Sequence, residues 1–196
     1  MTESKYKLVV FDQDGVLVLG DALDDMANFL GAGKDSAAFT EKLHAGKISL
    51  REVLDGKKAI LKRFPQDEVA KSMSAIKIDP EAKIVINELR GRDMQTMLIT
   101  RSFEFVGAYT QEQLGIDYIA GSTSAITMDG EAKDEAMLEK AQELKIDPEK
   151  ILAVSDSPSD KEMLEKAGQG LTIRPINGME KYFPEIKSLK EILDYI

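Results

Sequence analysis

Two aspartates separated by a single residue, Asp12 and Asp14, follow the apolar run Lys7-Leu8-Val9-Val10-Phe11 and lead into Gly15. In a strand, residues i and i+2 point to the same side, so both carboxylates can project from one strand end toward one point. Two close acids repel unless a cation sits between them or they share a proton. A hard divalent ion with oxygen ligands, Mg²⁺, resolves that conflict most simply. The plain alternative is a strand that ends in an Asp- and Gly-rich turn.

Further chemistry-bearing residues fall in comparable places. Thr100, Arg101 and Ser102 follow Met97-Leu98-Ile99, and Ser155-Asp156-Ser157-Pro158-Ser159-Asp160 follows Leu152-Ala153-Val154. Lys133 is expected to open a helix after the turn Met128-Asp129-Gly130. Each has an ordinary reading: Thr100 a helix-entry hydroxyl, Lys133 a solvated first-turn lysine, Asp156 a turn acid, Asp160 a helix cap. Ligands of doubly wound sheets bind beyond the carboxyl ends of the strands. If these segments are parallel strands, four carboxylates, a hydroxyl and a lysine meet at one edge.

The patterning provides such strands. Short apolar segments are expected as strands at Lys7–Phe11, Thr96–Ile99, Tyr118–Ala120, Ile151–Val154 and Leu171–Ile173. Helical patterns lie between most of them, at Glu81–Arg90, Phe103–Leu114, Lys133–Leu144 and Asp160–Ala167. This alternation predicts an α/β fold, a Rossmann-like doubly wound parallel sheet covered on both faces. Gly91, Gly115 and Gly168 are placed to end helices. Asp79-Pro80-Glu81 and Asp147-Pro148-Glu149 are placed to start a helix or a short turn. From about Asp21 to Ser74 the alternation stops. Leu23, Met26, Ala27 and Leu30, then Leu50, Val53 and Leu54, recur at helical spacing with no convincing strand. The expected division is a core of residues 1–15 and 79–196 with a small helical cap, 16–78, inserted after the first strand. The final stretch, Ser188 to Ile196, reads as an amphipathic helix.

Composition narrows the chemistry. The 196 residues suffice for one domain with a smaller insertion. A net charge of −9 argues against nucleic-acid or anionic-membrane binding and offers no long-range pull on an anionic substrate. No apolar run approaches the roughly 18 residues needed to span a bilayer, and no signal peptide is expected. The absence of cysteine excludes disulfides, thiolate metal sites and a cysteine nucleophile, and fits the cytoplasm. With His44 the single histidine, a His-rich metal site is impossible; His44 itself reads as an exposed residue near a helix end.

The motifs Phe11-Asp12-Gln13-Asp14-Gly15-Val16-Leu17, Leu98-Ile99-Thr100, Lys133 and Val154-Ser155-Asp156-Ser157-Pro158-Ser159-Asp160 occur in this order over most of the chain. Together they resemble the haloacid dehalogenase (HAD) superfamily of aspartate-nucleophile phosphatases. The cap after the first motif, the Phe103-Glu104-Phe105-Val106 helix start and the C-terminal Leu189-Lys190-Glu191-Ile192-Leu193-Asp194-Tyr195-Ile196 are most similar to the phosphoserine phosphatase branch. The resemblance implies a phosphomonoester hydrolase acting on a small phosphorylated metabolite. Asp12 would be the nucleophile and Asp14 the general acid and base. Mg²⁺ would be held by the Asp12 carboxylate, the Asp14 backbone carbonyl and Asp156, with Asp160 as ligand or neighbour of a ligand. Thr100 would hydrogen-bond a phosphoryl oxygen, Lys133 would steady Asp12, and the helix N-terminus after Ser102 would favour the phosphate.

The chain departs from that pattern where substrate is read. Ser155 stands for the usual glycine before the fourth-motif aspartate, and Ser157-Pro158-Ser159-Asp160 for Gly-x-Asn-Asp. Arg101 and Ser102 replace a glycine pair, and the branch's substrate-reading glutamate, aromatic and arginine align with Asp21, Leu50 and Lys57. Arg101 before a helix start would oppose the macrodipole, so it either reaches solvent or meets an anion. Other readings are a phosphotransferase or phosphomutase of the same fold, a catalytically silent binding relative, and a phospho-accepting receiver domain. The receiver is disfavoured by the early Asp12-x-Asp14 pair and the inserted helices. The physiological substrate and oligomeric state are not legible.

Overall fold

The apolar segments form the sheet that the alternation predicts. The computed structural model describes residues 4–196, apart from the side chain of His44, so the expectation for His44 lies outside the described residues. The strands are β1 (Leu8–Phe11), β2 (Gln95–Phe103), β3 (Tyr118–Ser122), β4 (Ile151–Ser155), β5 (Gln169–Ile173) and β6 (Glu185–Ile186). They pair in parallel in the order β3-β2-β1-β4-β5-β6. The chain builds outward from β1 on one side and then returns to place β4 on the other. The switch point, where such sheets open a crevice, is therefore between β1 and β4.

The period of two explains why β1 is apolar throughout. Val9 and Phe11 pack on one face with Val85, Ile86 and Leu89 of α5 (Ala82–Gly91) and Leu114 of α6 (Glu104–Leu114). Leu8 and Val10 pack on the other with Met137 and Ala141 of α7 (Gly130–Glu143) and Met163 and Leu164 of α8 (Lys161–Lys166). Both faces are covered, as a parallel sheet requires.

Between β1 and α5 lie α1 (Ala22–Phe29), α2 (Gly33–His44), α3 (Leu50–Leu61), α4 (Gln66–Ser72) and a 3₁₀ turn, Met73–Ala75. Their apolar faces make a separate cluster of Leu23, Met26, Leu54, Leu61 and Ile76, which rests on Phe103 and Val106. The two crossings between this insert and the sheet run side by side: Leu19 N–H donates to Lys77 O (2.8 Å) and Asp79 N–H to Leu17 O (2.8 Å). Arg174, just past β5, grips both crossings. It donates to Gly15 O (2.9 Å) and Val16 O (3.0 Å) on the way out, and pairs with Asp79 on the way back. Among the described residues, no helix is long and apolar enough to cross a membrane.

Several expected boundaries move, each for a local reason. β2 runs on to Phe103, so Arg101 and Ser102 lie in a strand, not at a helix entry, and Phe103 is the residue before α6. A register shift against β3 after Ile99, with Ser122 Oγ donating to Arg101 O (2.7 Å), lets the strand continue. Asp129 caps α7 by accepting from Ala132 N–H, so Lys133 closes the first turn and does not open the helix. Gly115 ends α6 in the left-handed region at φ 74°. Gly91 is still helical, and the left-handed position after α5 falls to Asp93 at φ 55°. Gly168 is no cap: a Cβ there would lie 2.0 Å from Glu149 O, so close backbone approach requires glycine. Pro148–Lys150 is a single 3₁₀ turn, and the C-terminal segment is 3₁₀ over Leu189–Asp194, not an α-helix.

Candidate active site at the carboxyl edge of the sheet

Asp12 is the first residue past β1, fixed by donation of its N–H to Val154 O of β4 (3.0 Å). Its side chain is buried, and Oδ1 accepts from Lys133 Nζ at 2.8 Å. The same ammonium donates to Asp160 Oδ2 at 2.8 Å and has no exposure to solvent. Burial pushes the Asp12 carboxyl up, with Lys133 opposing. Burial also opposes the charge on Lys133, but Asp12 and Asp160 outweigh it and hold the ammonium protonated. Asp160 is held below the usual carboxylate range because Lys133 and the Ser155 hydroxyl outweigh the cost of its burial.

Asp14 projects beside Asp12, its Oδ1 accepting from Ala22 N–H at the start of α1 (2.9 Å). Burial, then the neighbouring Asp21 and Asp12, push its carboxyl well up, against the Ala22 N–H bond. Between them, the Gln13 carbonyl accepts from the N–H groups of Val16, Leu17 and Val18 and turns the chain sharply into the insert. Gly15 takes φ 77° in that turn, and a Cβ there would lie 2.1 Å from Asp156 Oδ2. Only glycine brings the Asp14 backbone this close to Asp156. The Asp156 carboxyl is raised to about 7 by burial and by Asp12 and Asp160.

A cavity of about 280 Å³ opens over these groups, bordered by Asp12, Asp14, Asp21, Arg101 and Asp156, with Thr40 from α2. Thr100, Lys133 and Asp160 are not on its wall; they stand behind it as buried supports. Thr100 Oγ1 accepts from Ser102 N–H (3.0 Å), which leaves its hydroxyl proton to donate elsewhere. Ser102 Oγ is buried and, among the described residues, has no partner. Asp21 and Lys57, expected to read substrate, meet each other. Lys57 Nζ is 3.0 Å from Asp21 Oδ2 and 2.8 Å from Asp24 Oδ1. Asp21 Oδ1 also caps α1 through Asp24 N–H (2.9 Å).

The fit to a divalent ion rests on the donor set. Among the described residues, no three His, Cys, Asp or Glu side chains form a ready-made cage. The expected ligands are two carboxylates, Asp12 and Asp156, and one backbone carbonyl, that of Asp14. Mg²⁺ commonly takes one or two carboxylates and completes its shell with water and phosphate. The Gly15 cradle and the cost of an uncompensated charge on Asp156 are consistent with that use. Asp160, fully buried, off the cavity wall and already accepting from Lys133, Ser155 and Ser159, is better placed as the neighbour of a ligand than as a direct one.

The altered fourth motif has a structural account that sequence reasoning missed. Ser155 Oγ donates to Asp160 Oδ2 (2.7 Å) and accepts from Ser157 N–H (3.2 Å), while Ser159 Oγ donates to Asp160 Oδ1 (3.0 Å). Two hydroxyls thus hold the carboxylate that anchors Lys133. Ser155→Gly should lower stability by about 1.5–3 kcal/mol, the range for a hydrogen bond to a charged group. Urea denaturation checks this, and an unchanged midpoint would remove the role. Arg174 and Asp24 were also missed. Neither lies in a motif, and their partners are brought in only by tertiary packing.

Comparison with known proteins bears on the family and the fold. Residues 6–168 match the family model described as haloacid dehalogenase-like hydrolase. A phosphoserine phosphatase of Methanocaldococcus jannaschii is 28% identical, with 99% of each chain covered. One of Archaeoglobus fulgidus is also 28% identical over 84% of this chain, but the chain spans only 52% of that protein. A substrate-bound phosphoserine phosphatase complex superposes with a TM-score of 0.84 at 25% identity, covering 99% of this chain and 100% of that one. A phospho-aspartyl intermediate analogue of phosphoserine phosphatase superposes with a TM-score of 0.83 at 25% identity, covering 98% and 100%.

Proposed function

The chain belongs to the haloacid dehalogenase-like hydrolases, among the phosphatases of the phosphoserine phosphatase-like branch, and from that kinship we propose that it is a Mg²⁺-dependent phosphomonoester hydrolase working through an aspartyl-phosphate on Asp12. The observation that carries the reading is the Asp12 carboxylate at the cavity floor, with one oxygen tied to a buried lysine. That bond orients the side chain and leaves Oδ2 to attack phosphorus. Asp14, whose carboxyl burial pushes well up and so favours its acid form, gives a proton to the departing ester oxygen and then takes one from the water that cleaves the acyl phosphate. Thr100, buried just behind the wall with its hydroxyl proton unengaged, is the donor assigned to a phosphoryl oxygen once substrate displaces the wall toward it. Lys133 acts through Asp12, holding its orientation and offsetting charge. Mg²⁺, held by Asp12, the Asp14 carbonyl and Asp156, would neutralise the phosphoryl charge. Residues 16–78 form a lid: Thr40 and Asp21 border the cavity from the insert, so closure excludes water from the first transfer.

The test is phosphate release from p-nitrophenyl phosphate. Release should stop with EDTA and return with Mg²⁺; full turnover in EDTA would sink the metal assignment. Metal should also affect stability in a pH-dependent way. An acid raised in the folded state binds its proton more tightly there, so its contribution is most favourable at low pH and is lost as pH rises from the unfolded value through about 7 for Asp156. Chelation should therefore lower Tm more at pH 8 than at pH 5.5. An equal loss at both would contradict Asp156 as a ligand.

A further inference from the structure

Arg101 is the cation at this site that no described residue holds in a hydrogen bond or ion pair, although it lies near enough to Asp12, Asp156 and Asp160 to draw their carboxyls down. Lys133 lies between Asp12 and Asp160, Lys57 between Asp21 and Asp24, and Arg174 is engaged by Asp79 and two carbonyls. Arg101, by contrast, makes no side-chain hydrogen bond or ion pair with any described residue. Its position follows from the extended β2. In this irregular stretch of the strand Thr100 and Ser102 are buried, whereas Arg101 is only half-buried. There it borders both the catalytic cavity, with Asp12 and Asp156, and a smaller cavity of about 60 Å³ beneath the insert, with Leu50 and Lys57. A partly desolvated guanidinium whose donors make no hydrogen bond to a described residue suits an anionic ligand that can take its fork of donors.

We propose that Arg101 sets specificity by gripping a second anionic group on the substrate, so that the site takes small phosphate monoesters whose leaving group carries a carboxylate or another phosphate. This rests on the phosphatase reading above. The smaller cavity limits the leaving group to a few heavy atoms; Leu50, Val53 and Leu54 line part of it with aliphatic carbon, and Asp14 and Asp21 border it too, so an anion there must sit against Arg101. The insert offers no second receptor for an anion. Lys57 already faces two carboxylates, and that triad carries one net negative charge. Both Asp21 oxygens are engaged, one by Asp24 N–H and one by Lys57. An amino-acid leaving group needs a free anion for its ammonium and a free cation for its carboxylate. The insert presents instead a pair closed on itself, so phosphoserine is a poorer substrate than a phosphate ester bearing a carboxylate alone.

The experiment compares kcat/KM in Mg²⁺ for 2-phosphoglycolate, ethyl phosphate and phosphoserine, in the wild type, Arg101→Met and Arg101→Lys. Binding of 3-phosphonopropionate and propylphosphonate, their carboxylated and uncharged-tail phosphonate counterparts, is measured in parallel by calorimetry. The wild type should favour phosphoglycolate over both other esters by about tenfold or more, the effect of one charge-assisted pair. Arg101→Met should collapse the phosphoglycolate-to-ethyl-phosphate ratio and the matching phosphonate affinity ratio, and Arg101→Lys should restore part of each. Equal handling of phosphoglycolate and ethyl phosphate by the wild type overturns the proposal. So does a phosphoserine preference that ignores Arg101. A common fall for both esters in Arg101→Met also overturns it, since the guanidinium then touches only the transferred phosphoryl group. If no ester is turned over, the phosphatase reading fails, while the phosphonate affinity ratio still decides the role of Arg101.

Discussion

Asp12→Asn removes turnover, by at least about 10⁴-fold, because an amide is a far poorer nucleophile and no other group on the cavity wall occupies its place at the end of β1. The change is nearly isosteric, so the loss should not come from unfolding. Lys133 keeps Asp160 as partner at 2.8 Å, and the carbonyl oxygen of the introduced amide can accept where Asp12 Oδ1 did. Tm should stay close to that of the wild type while phosphate release disappears. Asp14→Asn should behave differently. It should slow both transfers and spare much of the metal binding, because the proposed ligand there is a backbone carbonyl. Substantial turnover in Asp12→Asn would show that water attacks the ester directly.

Lys133→Met should cost about 3–5 kcal/mol of folding stability, the usual penalty for leaving a buried charge without its partner. The ammonium has no solvent contact and bridges two carboxylates, so its removal strands Asp12 and Asp160 together in the interior. Asp160 keeps its two serine donors, while Asp12 keeps none of its side-chain hydrogen bonds. The pH dependence has a definite sign. In the wild type, Asp160 is depressed, so its contribution is present above the unfolded carboxylate range and is lost as pH falls through its folded value. In the variant the stranded carboxyls are raised and take up protons on acidification, which relieves the repulsion. The difference between the two proteins, read from urea denaturation, should therefore shrink between pH 7 and pH 4.5. Equal stability at pH 7, or a gap that widens in acid, would contradict the charge bridge.

The sheet and its carboxyl edge were legible because their signals are local. Apolar segments of three to five residues alternate with helical spacing, and Asp12, Asp14, Thr100 and Asp156 each sit at or just past the end of such a segment, whereas Lys133 lies in the first turn of α7. That is why Asp12, Asp14, Thr100 and Asp156 could be placed from spacing and motif alone. What escaped was set by contacts between distant parts of the chain. β6 has two residues, too few for a pattern. β2 outruns its apolar stretch because the irregular pairing with β3 and the Ser122 hydroxyl support it, and this moved Arg101 from a helix entry into a strand. Asp21 and Lys57 are 36 residues apart and read as two separate receptors; packing of α1 against α3 turns them into a pair. The substitution of serine for glycine at 155 read as a weakened motif, whereas the hydroxyl supports Asp160.

The covalent step is tested most directly by rapid acid quench of the wild type and Asp14→Asn during the first turnover of a ³²P-labelled ester in Mg²⁺, followed by peptide mapping. Phosphate label that survives acid, is released by hydroxylamine and resides on the peptide containing Asp12 is the expected result, with more of it in Asp14→Asn, where hydrolysis of the acyl phosphate is slowed. Product formation in both proteins with no label on that peptide at any quench time, or with label on another residue, would contradict nucleophilic catalysis by Asp12.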